Sequence, residues 1–196
     1  MWLRLWGRVR ISGRECMPRE GGVLVVSNHL GAGDPEILWA IFPRQLWFMA
    51  LDTLFDLPVI GFLMQCAGAF PVHRGRVNRR AVQTALWLLR AGESVAMYPE
   101  GERTVRADLE RPHAGVGYLA LLAGVPILPV GLAGSERIFP RVRLPPKQRG
   151  IDVHIGPAFM LPEEIQDRHV ASEYIMQRVA DLLPTQYRGY LRDHER

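Results

Sequence analysis

Lysine is almost absent from this chain: Lys147 is the only one among 24 basic residues, so arginine carries the formal charge of +4. Cysteine is nearly as scarce. Cys16 and Cys66 are the only two, with neither metal-ligand nor disulfide-framework spacing. That fits a reducing, cytosolic setting, and each cysteine reads as a small buried apolar residue rather than a nucleophile. No linker, low-complexity tract or internal repeat interrupts the 196 residues, which excludes a repeat array. No signal peptide is expected, because Arg4, Arg8 and Arg10 break up the first apolar residues. Basic residues interleaved with aromatics along one stripe are missing too, which speaks against nucleic acid as a partner.

One long uncharged run does exist. Val116 to Ser135 has the length of a membrane span, but Pro126 and Pro129 sit inside it with four glycines. Two prolines so placed break a helix and free backbone groups that lipid cannot satisfy. A buried helix, a turn and a buried strand are the better expectation.

The chain is 48% hydrophobic, enough for one domain with a substantial core. Short strands are expected at Arg8–Ser12, Val23–Ser27, Trp47–Leu51, Ser94–Tyr98, Ile127–Leu132 and Ile151–Ile155. Val23–Ser27 is an unbroken apolar run ending in serine, as in a strand buried on both faces of a mainly parallel sheet. Helices are expected from Pro35, over Asn78–Arg90 with Asn78 as N-cap and Gly92 as terminator, over Gly115–Ala123, and over about Ala171–Leu183. Alternating strands and helices define an α/β class: a mainly parallel mixed sheet flanked by helices. One domain spans residues 1–196, with a lead-in at 1–22, a core at 23–160 and a helical tail at 161–196.

Three polar clusters, NHLGAGD from Asn28, VHRGR from Val72 and YPEGERT from Tyr98, follow apolar segments. In open α/β sheets ligands bind beyond such strand ends. His29 and Asp34 lie five residues apart across a loop containing Gly31 and Gly33. A glycine-rich turn can fold the carboxylate back onto one imidazole nitrogen, leaving the other to remove a proton. Taken alone, the pair could equally be a loop histidine and a helix N-cap. Arg74, Arg76 and Arg103 could converge as an anion clamp, or lie separately on the surface. Glu100 would hold an arginine or accept a hydrogen bond from a substrate hydroxyl. No nucleophile pairs obviously with the histidine, and Ser27 ends a buried strand. This favours direct attack by a substrate hydroxyl over a covalent acyl-enzyme.

Four ordered blocks resemble the 1-acylglycerol-3-phosphate acyltransferase (PlsC-like) family of glycerolipid acyltransferases. NHLGAGD is similar to the family's NHx4D block, GAFPVHRGR from Gly68 to its second, YPEGERT to FPEGTRS, and GVPILPV from Gly124 to its fourth. A C-terminal LLPxxYRG from Leu182 adds to the match. The resemblance implies that His29 is the general base and Asp34 its orienting partner. It implies acceptor binding by Arg74, Glu100, Gly101 and Arg103, and an acyl-donor region near Pro126. The implied reaction carries an acyl group from acyl-CoA or acyl-carrier protein to the free hydroxyl of a lysophospholipid, foremost lysophosphatidic acid. Neither metal nor cofactor is implied, since the thioester is already activated.

Glu102 stands where the family usually has threonine, and Leu51 where a basic residue often lies. Both departures leave room for an amino-lipid or glycolipid acceptor. A non-catalytic lipid-binding module is a third reading, against which the intact histidine and aspartate speak. Trp2, Leu5, Trp6 and Val9 could form an apolar face opposite Arg4 and Arg8, either as an interfacial anchor or packed on the domain. The expected location is cytoplasmic, at the inner face of the cell membrane, without a transmembrane span.

Overall fold

The computed structural model describes residues 9–72, 79–101, 108–137 and 150–195. Seven strands form one sheet: β1 (Val9–Ser12), β2 (Val23–Ser27), β3 (Leu46–Leu51), β4 (Ala69–Val72), β5 (Ser94–Met97), β6 (Ile127–Ala133) and β7 (Ile151–Ile155). Their order is β1-β7-β6-β2-β5-β3-β4. Every pairing is parallel except β6 with β7. The mainly parallel mixed sheet is therefore the one the sequence pattern implied.

Helices cover both faces. α1 (Asp34–Ile41) packs Ile37, Leu38 and Ile41 against Val23, Val25, Phe48 and Leu128. On the other face α3 (Arg79–Arg90), α4 (Gly115–Ala123) and α5 (Arg168–Ala180) bury Leu89, Leu119 and Ile175 against Leu24, Val26 and Val95. All five residues of β2 are buried, because successive side chains alternate between two covered faces. The charge-free run from Val116 resolves into α4, a turn and β6. No helix among the described residues is long and apolar enough to cross a membrane.

Two elements escaped the sequence pattern, α2 (Pro58–Cys66) and β4. α2 joins β3 to β4 at the sheet edge, and a right-handed crossover sets it on the same face as α1. Its outward residues are as apolar as its inward ones, so no one-sided stripe marks it. β4 is four residues long with Pro71 inside, which an edge strand tolerates. The edge position also corrects the reading of the cysteines: Cys66 is exposed at the end of α2 and Cys16 only partly covered. The last helix begins earlier than expected, where Asp167 accepts hydrogen bonds from the N–H groups of His169 and Val170. Asn78, expected as the N-cap of α3, and the residues of the N-terminal apolar face before Val9 lie outside the described residues.

Candidate active site

Neighbouring strands β2 and β5 send their connections to opposite faces of the sheet, β2 to α1 and β5 to α4. At such a switch point a crevice opens beyond the carboxyl ends of the strands. His29 follows β2 at this end of the sheet, and Tyr98, Pro99, Glu100 and Gly101 follow β5.

The loop after β2 is anchored at its root. Asn28 is buried, and its side chain behaves like a further peptide group. Its Oδ1 accepts the Leu132 N–H at 2.8 Å and its Nδ2 donates to the Leu132 carbonyl at 2.9 Å. This continues the β2–β6 pairing and delivers the next residue, His29, at a fixed position. The sequence shows an amide directly after an apolar run, but not the partner that gives Asn28 this role.

Asp34 is the centre of the loop. One of its oxygens, Oδ2, accepts from the N–H groups of Leu30 at 2.7 Å and Gly31 at 2.8 Å, and lies 2.9 Å from His29 Nδ1. An oxygen already taking two backbone N–H groups is a carboxylate acceptor, so His29 Nδ1–H is the donor. Nε2 is then left as the basic nitrogen. Asp34 is 0% exposed, while the His29 side chain keeps 17% of its surface exposed. The helix-cap alternative does not describe this aspartate. Gly33 is the N-cap of α1, and the Asp34 carboxylate turns back onto the loop.

Gly31 is required by space. A Cβ there would stand 2.8 Å from the Ser135 carbonyl oxygen and 3.5 Å from Asp34 Oδ1. Ser27 is buried and donates its hydroxyl to the Asn28 carbonyl. Among the described residues no serine, threonine or cysteine bonds to the His29 ring.

The segment after β5 holds His29 from the other side. Glu100, 2% exposed, accepts the His29 backbone N–H at 2.8 Å through Oε2 and the Glu110 N–H at 3.3 Å through Oε1. Burial pushes its carboxyl up to about 8, against the lowering effect of those two N–H groups. The side chain thus faces the interior and positions the loop, rather than lying open to a substrate hydroxyl. Gly101 closes the turn with its N–H on the Tyr98 carbonyl, at φ +72°, and a Cβ there would crowd His113. Tyr98, also overlooked in the sequence, stacks on His29 with ring centroids 4.2 Å apart and planes 20° from parallel.

Arg74, Arg76 and Arg103 lie outside the described residues. Pro126 is not brought to the pair. Its carbonyl accepts the Leu24 N–H at the opposite end of β2, about 15 Å or more from His29 by strand rise.

This crevice, with a carboxylate-bound histidine at the end of a central parallel strand, belongs to a recognised class. The family model described as Acyltransferase matches residues 8–133, well over half of the chain. The chain belongs to this acyltransferase family, as the PlsC-like motifs imply. It is 31% identical over 136 residues to the 1-acyl-sn-glycerol-3-phosphate acyltransferase of Bacillus subtilis, covering 68% of this chain and 67% of that one. An uncharacterized protein of Mycobacterium tuberculosis is 34% identical over 154 residues, 71% of this chain and 41% of its own. The chain thus spans about two fifths of the length of the first mycobacterial relatives. The fold matches the crystal structure of the 1-acyl-sn-glycerophosphate acyltransferase PlsC from Thermotoga maritima. The TM-score is 0.69 at 21% identity, covering 92% of this chain and 74% of that one.

Proposed function

We propose that this protein transfers a fatty acyl group from acyl-CoA or acyl-carrier protein to the free hydroxyl of a lysophospholipid. The preferred acceptor is 1-acyl-sn-glycerol-3-phosphate, giving phosphatidic acid. The observation that carries this reading is the 2.9 Å bond from His29 Nδ1 to a buried Asp34, which leaves Nε2 as the basic nitrogen of a partly exposed side chain. His29 Nε2 takes the hydroxyl proton as the oxygen attacks the thioester carbonyl. The tetrahedral intermediate collapses with loss of the thiolate, which recovers that proton from the imidazolium. Asp34 holds the tautomer and offsets the charge that develops on the ring. Assistance of this kind contributes about 10²- to 10⁴-fold in rate.

Arg74 and Arg103 are assigned to the acceptor phosphate, and Gly101 keeps its own turn free of a side chain. Glu100 serves from behind by holding the His29 backbone. The donor thioester needs no metal or cofactor to activate it. Glu102 and Leu51 favour a second acceptor class, an amino-lipid or glycolipid of the same reaction.

Membrane lipid reaches such a site from a bilayer surface, and a peripheral location at the inner face of the cell membrane follows. The outward stripe of α2 supports it. Val59, Phe62 and Leu63 are exposed, and residues 57–72 contain no formal charge.

Release of free CoA thiol from one acyl-CoA, measured across acceptors, tests the assignment. Thiol release with lysophosphatidic acid above all others is expected. Release only with an amino-lipid or glycolipid would replace the acceptor, and release with no lyso-lipid would overturn the reaction.

A further inference from the structure

We propose that Tyr98 is a positioning residue for the base: its ring fixes the plane of the His29 imidazole and favours the ring's protonated form during proton transfer. The inference rests on the role assigned to His29 above.

One hydrogen bond to Asp34 fixes a single point of the imidazole. The two side-chain torsions can still rock the ring while that distance is kept, and a base must hold Nε2 within about 2.6–3.2 Å of the oxygen whose proton it removes. The Tyr98 ring at 4.2 Å, nearly parallel, removes that freedom. Its place is dictated by the sheet. Val26 pairs with Met97 in parallel register, so the residues just beyond both strands are brought side by side. The Glu100 bond to the His29 N–H then ties the same two segments together at the backbone.

The phenol itself is not equipped for proton transfer. Its hydroxyl is buried and has no hydrogen-bond partner among the described residues. Burial, with the negative charges of Asp34 and Glu36, raises its ionisation well above the ordinary tyrosine value. What remains to act is the ring face. Its negative quadrupole attracts a cation, and the imidazolium formed as the acceptor hydroxyl loses its proton is such a cation.

The test compares Tyr98→Phe and Tyr98→Leu in the full chain, following thiol release from acyl-CoA as a function of pH. Tyr98→Phe keeps the ring and is expected to hold kcat within about threefold of wild type, with the ascending limb of kcat/KM in place. Tyr98→Leu is expected to lower kcat about tenfold with KM within about twofold. Its ascending limb should move about half a unit to lower pH, because the imidazolium has lost its stacked partner. An unmoved limb and unchanged kcat in Tyr98→Leu would overturn the proposal. So would an equal loss in Tyr98→Phe, which would assign the effect to the hydroxyl.

If Tyr98→Leu does not fold, the His29 ring protons decide. An upfield ring-current shift in the wild type and in Tyr98→Phe is expected by NMR, and its absence in the wild type contradicts the stack. Thiol release by His29→Ala would overturn the base itself, whereas its loss beside a wild-type profile in Tyr98→Leu would remove Tyr98 alone.

Discussion

Asp34 gathers three donors on one carboxylate oxygen, two of them backbone N–H groups of the loop it orients. Replacing it with asparagine keeps the shape but puts an amide where a charged acceptor stood. The neutral side chain can present an N–H to Nδ1 and so favour the wrong imidazole tautomer. Asp34→Asn is expected to lower kcat by about 10²-fold or more, read by thiol release, with near-wild-type circular dichroism. Glu100 makes a different prediction. Its folded-state carboxyl titrates near 8 rather than at 4.5, so the folded chain binds the proton more tightly than the unfolded one. The stability this contributes is complete below about pH 4.5 and is lost as pH rises through about 8. Glu100→Gln cannot titrate. Urea unfolding at pH 5 and pH 8 should show a smaller decline for the variant than for the wild type, and parallel declines would contradict the burial effect.

At the scale of elements, a strap at Leu109 ties the C-terminal tail to the site. Leu109 donates its N–H to the Tyr187 carbonyl and accepts the Tyr190 N–H. The next residue, Glu110, supplies the N–H that Glu100 holds. Gly189 lies against Leu109 at φ +50°, where a Cβ would strike the Leu109 carbonyl. Gly189→Ala is therefore expected to cost about 1–3 kcal/mol in urea unfolding. It should also reduce kcat although the substitution is remote in sequence from His29. α2 behaves oppositely. Phe62 is 66% exposed, so Phe62→Glu should leave stability within about 0.5 kcal/mol of wild type. The same change should weaken co-sedimentation with phospholipid vesicles, and undiminished binding would remove α2 from the membrane surface.

Across the whole molecule, the features legible in the sequence were those set by alternation and by local chemistry. β2 and β7 were read at their observed ends, and so was α4, because an apolar run or strict alternation marks each. The His29–Asp34 pair was legible as a spacing, although its hydrogen bond depends on a loop geometry that no periodicity encodes. α2 stayed hidden because its exposed side is apolar, and β4 because a four-residue edge strand with a proline lacks a signature. Tyr98, Asn28 and the inward turn of Glu100 were illegible for a shared reason. Each acts through a partner brought near by strand order: His29 for Tyr98 and Glu100, Leu132 for Asn28. That order, with β5 inserted between β2 and β3, is a property of tertiary packing. Pro126 shows the converse: a motif residue can sit at the far end of the sheet from the pair it accompanies in sequence.

The central claim is that His29 acts as the base in acyl transfer to a lipid hydroxyl. Thiol release from acyl-CoA with lysophosphatidic acid, compared between the wild type and His29→Ala, tests it most directly. Release by the wild type, reduced about 10²-fold or more in His29→Ala at unchanged fold, is the expected result. Equal release by the two proteins would contradict it.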